Sequence, residues 1–119
     1  MRNRAAAERQ GRRAEWLAGL YLRLKGYRVL ARRFKAAGGE IDIAARRGDV
    51  LVLVEVKARA DHDDAIFAVT ASAKRRIEAA GRSFMASRPH LASLGVRYDI
   101  IAVSGVLLRH VRDAWRSQR

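Results

Sequence analysis

The sequence predicts an α/β domain with a mixed central sheet flanked by helices, in the order helix, strand, strand, strand, helix, strand, with a short closing strand. Three observations predict it. Residues 39–59 (GEIDIAARRGDVLVLVEVKAR) hold two apolar strand-like runs joined by a short Arg-Arg-Gly-Asp turn. Two other stretches, near residues 5–25 and 70–85, carry apolar residues at helical spacing. A late run, Val96 to Val103 (VRYDIIAV), is rich in β-formers. Strands and helices in this alternation build a layered α/β core.

The first helix is expected from about Ala5 to Lys25. Leu17, Leu20, Tyr21 and Leu24 make its apolar stripe, extended by Ala14. Arg9, Arg12, Arg13 and Arg23 lie mostly away from that stripe, and Glu15 is an acid among arginines, free to pair with Arg12 or a neighbour. Gly26 is a helix stop. Tyr27 to Arg33 is the first strand, and residues 35–39 form a loop whose two glycines allow a tight turn. Glu40 to Ala45 and Val50 to Ala58 read as an antiparallel hairpin, followed by an acidic loop, Asp61-His62-Asp63-Asp64.

Thr70 or Ser72 caps the second helix, whose stripe is Ala73, Ile77, Ala80 and Phe84 with Met85 beside it. Lys74, Arg75, Arg76 and Arg82 give it a cationic side. Pro89 lies beyond its end. Val96 to Val103 is the next strand, and Ser104-Gly105 turns into a last one at Val106 to Val111. The tail, 112–119, is expected to fray apart from Trp115, which packs back onto the body. His90 and His110 have no visible partners and read as structural or surface residues.

Composition bounds the function. At 119 residues the chain is expected to form one domain. Half the residues are hydrophobic and one is proline, as in a folded protein. With no cysteine, disulfides and thiolate metal sites are excluded. No run is long enough to span a bilayer and no signal-peptide pattern follows the basic N-terminus, so a cytoplasmic location is expected, with no membrane partner. Twenty-five Lys and Arg against twelve Asp and Glu give a net charge of +13. That excess favours a polyanionic partner, nucleic acid first.

Within the hairpin, Asp42, Glu55 and Lys57 are charges in otherwise apolar strands. Strand alternation puts Glu55 and Lys57 on one face with Leu51 and Leu53, opposite Val52, Val54 and Val56. Charges so placed need partners or a task. Two carboxylates converging from adjacent strands suit a hard cation such as magnesium, and a nearby lysine suits charge developing on a phosphate. A closed ion network at the sheet edge accounts for the same residues, and the residues alone leave both readings open. Glu40 shares a face with Asp42 and is an alternative ligand.

The sequence resembles the YraN family of small bacterial proteins, assigned to the restriction-endonuclease-like, PD-(D/E)xK, nuclease superfamily. The resemblance covers nearly the whole chain. It is carried by Gly11 through Leu30 (GRRAEWLAGLYLRLKGYRVL), GEIDI at Gly39–Ile43, VEVKAR at Val54–Arg59, the AVT segment before Lys74-Arg75-Arg76, and Arg97-Tyr98-Asp99. It implies a restriction-endonuclease-like fold and a divalent-metal-dependent endonuclease with a Holliday-junction-resolvase-like core, acting on DNA with Mg2+ or Mn2+. By resemblance the catalytic set is Glu15, Asp42, Glu55 and Lys57. Asp42 and Glu55 would bind the metal, Lys57 would assist the attacking water, and Glu15 would complete the metal shell or orient a water. Arg59, Lys74 and Arg75 are expected to contact nucleic acid. Dimerisation is expected in so far as duplex or branched cleavage uses two sites. A non-catalytic nucleic-acid-binding protein that kept the nuclease fold is the alternative. Two departures stand out: Ala58 replaces a common threonine, and the acidic loop replaces an aromatic-glycine pair.

Overall fold

The computed structural model describes residues 3–117. Helix α1 spans Arg4–Leu24 and is followed by strands β1 (Arg28–Ala36), β2 (Gly39–Arg47) and β3 (Val50–Ala58). A short helix α2 (His62–Phe67) and a longer one, α3 (Ala71–Ala86), lead through a 3-10 turn at Pro89–Leu91 to β4 (Gly95–Ser104) and β5 (Leu107–Trp115). The five strands lie in chain order in one sheet. β3 and β4 are parallel, and the other neighbours are antiparallel. A mixed sheet flanked by helices in this order is compatible with the restriction-endonuclease-like fold that the sequence predicts.

The pattern of β3 follows from its place. It is hydrogen-bonded on both edges and covered on both faces, so its first residues form a continuous apolar run rather than an alternating one. Val52, Val54 and Val56 pack with Ala14, Ala18 and Leu22 of α1. Leu51 and Leu53 face Ile77, Ala80 and Phe84 of α3. Gly81 admits that contact, since a methyl there would sit 2.5 Å from Leu53 Cδ1. Thr70 caps α3, accepting a hydrogen bond from the Ala73 amide at 3.1 Å.

Four expectations are corrected. The buried face of α1 is Ala14, Ala18, Gly19 and Leu22, whereas Leu20 and Leu24 are exposed at 41% and 79%. Small residues let the helix approach the sheet, so burial follows them rather than the leucines. The acidic loop is the start of α2: Asp61 caps it through the Asp63 and Asp64 amides, and Asp63 pairs with Arg109 at 2.7 Å. The expected loop at 35–39 shrinks to a turn at Ala37-Gly38, because both strands run on to meet there. The tail is not frayed through residue 115. β5 continues to Trp115, which stacks on Tyr98 and donates its indole N–H to Glu78 at 2.9 Å. Asp113, in a left-handed conformation (φ 53°), marks the irregularity that precedes it.

Among the described residues no helix is long and apolar enough to cross a membrane.

Candidate active site

β2 and β3 pair from Arg47–Val50 up to Ile43–Val54, and there the ladder stops. Beyond it, Glu40 and Ile41 stay paired with β1, while residues 55–58 stay paired with β4. The sheet is therefore split, and Asp42 and Glu55 stand on opposite sides of the split. The Val56 amide, which has lost its backbone partner on β2, donates instead to Asp42 Oδ2 at 2.8 Å. That bond fixes the Asp42 carboxyl in the mouth of the split.

A cavity of about 490 Å³ opens there. Its walls come from four elements: Gln10 and Glu15 of α1, Glu40 and Asp42 of β2, Glu55 and Lys57 of β3, and Arg76 and Ile77 of α3, with Arg59 at the rim. Four of the twelve acidic residues in this basic chain line this one cavity. Such a concentration of acids departs from the charge balance of the rest of the chain.

Asp42 is the most perturbed of these acids. Burial pushes its carboxyl up, and a hydrogen bond and the charge of Glu55 push it further, to about 8. The Val56 amide and Lys57 pull the other way without prevailing. The neighbouring Glu55 disfavours the charged form of Asp42 because two negative charges so close repel. Lys57 Nζ lies 3.7 Å from Glu55 Oε2, on the same side of β3.

Glu15 reaches the cavity from α1, and its partner is not Arg12. Arg33 Nε donates to Glu15 Oε1 at 2.7 Å. Arg33 has a left-handed backbone (φ 52°), strained for a residue with a side chain, at the point of β1 opposite Asp42. Glu40 lines the same cavity, so it joins the acidic set rather than pointing away.

The donor chemistry fits a hard divalent cation. Asp42 and Glu55 offer oxygen ligands from opposite sides of the split, and a cation between them would relieve the repulsion that raises Asp42. Among the described residues no three carboxylate or imidazole groups gather closely enough to enclose an ion by themselves. The donor set therefore suits an ion that keeps water or phosphate oxygens in its shell, as magnesium commonly does.

The predicted nucleic-acid contacts divide. Arg59 lies at the cavity, its guanidinium donating to the Ala58 carbonyl at 2.7 Å. Lys74 and Arg75 line a separate groove with Glu78, Arg82 and Trp115, and Lys74 Nζ sits 5.5 Å from the Trp115 ring centre. Arg76 is the α3 cation that reaches the cavity; the sequence places it on the cationic side of the helix but points to Lys74 and Arg75 for the nucleic-acid contacts. The signal was its spacing, three residues after Ala73 and four before Ala80, on the edge of the buried stripe.

Residues 14–103 match the model of the Uncharacterised protein family UPF0102, the YraN family. The chain belongs to this family. A UPF0102 protein of Paramagnetospirillum magneticum is 51% identical over 116 residues, covering 93% of this chain and 90% of that protein. Others from a Chelativorans species (52% identical, 85% and 82% covered) and from Parvibaculum lavamentivorans (50%, 93% and 84%) are similar throughout. The matched span takes in Glu15, Asp42, Glu55 and Lys57.

Proposed function

We propose that this chain is a divalent-metal-dependent nuclease of the restriction-endonuclease-like superfamily that hydrolyses phosphodiester bonds in DNA. The observation that carries the reading is the meeting of the Asp42 and Glu55 carboxyls in one cavity, with Lys57 3.7 Å from Glu55, at a sheet split in a chain of charge +13. A pure binding surface gains nothing from carboxylates turned toward a polyanion.

Asp42 and Glu55 would hold the ion, Mg2+ or Mn2+. When bound, the ion polarises a phosphoryl oxygen and neutralises charge on the phosphate. Lys57 orients the attacking water and stabilises the charge that develops as water adds and the ester P–O bond breaks. Glu15, steered by Arg33, fixes a water in the cavity from the helix side. Arg59 and Arg76 meet the flanking phosphates. The basic surface supplies affinity that falls as salt rises.

The test is cleavage of plasmid, branched and single-stranded DNA by purified protein with magnesium or manganese, beside Asp42→Ala. The expected outcome is metal-dependent cleavage reduced more than about a hundredfold by the substitution. Absence of cleavage on every substrate, or equal cleavage by the variant, would sink the proposal. Binding without turnover would assign the chain to the non-catalytic alternative.

A further inference from the structure

At the other end of α1 the molecule has a second built pocket, of about 350 Å³, lined by Tyr21, Lys25, Tyr27, Arg47, His110 and Arg112. Its character is the reverse of the active-site cavity: no carboxylate lines it. Lys25, Arg47 and Arg112 bring three cations to it, and among the described residues none of the three has a carboxylate partner. Cations gathered without a counter-charge repel one another, and the arrangement is relieved by an anion.

The floor of the pocket is rigid. Asp99, fully buried, takes His110 Nε2 at 2.6 Å, and His110 Nδ1 hydrogen-bonds to the Tyr21 hydroxyl at 3.1 Å. Arg97 closes the network by donating to Asp99 Oδ2 and to the Tyr27 hydroxyl, each at 2.7 Å. Both phenols are thereby held in place, and Arg47 lies over the Tyr27 ring at 5.2 Å. A Tyr–His–Asp chain invites a catalytic reading, but burial raises the Tyr21 phenol above its ordinary value, which disfavours a nucleophile. The Tyr27 hydroxyl accepts from Arg97 and keeps its own proton to donate, and beside guanidinium and ammonium groups it completes a donor set that binds tetrahedral oxyanions.

We infer that this pocket is a phosphate-binding site, built by Lys25, Arg47 and Arg112 beside the Tyr27 hydroxyl and separate from the active-site cavity. The separation is physical. From Glu15 to Lys25 α1 advances about 15 Å, and from Asp42 to Arg47 β2 advances about 17 Å. The site therefore takes a phosphate other than the one at the carboxylates. Two sources share this chemistry: a backbone phosphodiester of a nucleic acid lying across the molecule, and a terminal or free phosphate monoester.

The experiment is a titration of the full ¹⁵N-labelled chain, in EDTA, with inorganic phosphate and then with a short duplex carrying either a 5′-phosphate or a 5′-hydroxyl. Amide and arginine Nε signals of Tyr21, Lys25, Arg47 and Arg112 are followed. Saturable shifts at these positions with phosphate, beyond those from sodium chloride at equal ionic strength, are expected. Arg47→Ala/Arg112→Ala is expected to abolish them and to weaken duplex binding about tenfold, the equivalent of one charge-assisted hydrogen bond. A preference for the 5′-phosphate duplex would assign the site to a monoester, and equal binding would assign it to the backbone. No phosphate-specific shift, or unchanged binding by the variant, would overturn the inference. Arg47 and Arg112 are exposed, and if the double variant loses its spectral dispersion Arg112→Gln replaces it. Because no divalent metal is present, the result is independent of the proposed cleavage, and Asp42→Ala is expected to bind phosphate as the parent does.

Discussion

The Val56 amide and the Asp42 carboxylate are joined by a 2.8 Å hydrogen bond across the point where β2 and β3 part. The bond does two things. It satisfies a strand N–H that the split leaves without a rung, and it aims the acid at Glu55. The contact thus explains why an acid stands inside β2, while burial and the neighbouring Glu55 make its carboxyl resist ionisation.

The proton on Asp42 makes stability depend on pH in a defined sense. The folded carboxyl titrates at about 8, against an ordinary value of 3.8, so the folded state binds the proton more tightly than the unfolded chain. This contribution is complete below the ordinary value and is lost as pH rises towards about 8, with a slope of up to about 1.4 kcal/mol per pH unit. Asp42→Asn removes the slope, so urea unfolding at several pH values should show the variant gaining on the parent from pH 5 to 8. Parallel curves would contradict the raised Asp42 carboxyl. Magnesium competes with the same proton, so its stabilisation of the parent should be greater at pH 8 than at pH 6.

Gly39 is where α3 is held against the sheet. A methyl group at this position would lie 1.8 Å from the Arg76 carbonyl oxygen, which is backbone and cannot swing aside. Gly39→Ala should therefore push the first turns of α3 outward and cost about 1–3 kcal/mol, as overpacking does. Arg76 and Ile77 move with that segment, so DNA cleavage should fall as well. Gly11 is the control. It is helical with nothing within 4 Å of an added methyl, so Gly11→Ala should raise stability by about 0.5–1 kcal/mol. Thermal melts of the two variants moving in the same direction would refute the contrast.

Asp99 is a structural charge rather than a catalytic one. Burial pushes its carboxyl up, but hydrogen bonds from His110, Arg97 and the Asp113 amide more than offset this and hold it below the ordinary value. Asp99→Ala leaves Arg97 and His110 without their partner and should cost about 3–5 kcal/mol in denaturant unfolding. The sign with pH is opposite to that of Asp42. The stability Asp99 contributes is present above the ordinary carboxylate value and is lost as pH falls through the lowered one, so the acid limb of the parent should be steeper than that of the variant. A loss below about 1 kcal/mol would show the network to be solvated instead.

Much of the fold was legible because strand and helix periodicity are local. β3 begins and ends where its apolar run does, and α3 starts after the threonine that caps it. The face of Glu55 and Lys57 followed from alternation alone. The α1 stripe misled because hydrophobicity marks what prefers burial, while the sheet selected the small residues that allow close approach. α2 was hidden because six residues carry too little periodicity to distinguish a helix from a polar loop.

The sequence by itself determined the order of the strands and the two long helices, the acids and lysine within the apolar strands, and the family, since each of these is written in neighbouring residues. Only the tertiary structure decided what meets what. The split between β2 and β3 is a failure of two ladders to continue together, which no single strand records. Glu15 finding Arg33, Arg76 reaching the cavity in place of Lys74 and Arg75, and three cations meeting over two tyrosines all depend on how layers pack. Those contacts are long-range in the chain, and only closing the core against its entropy cost brings them together.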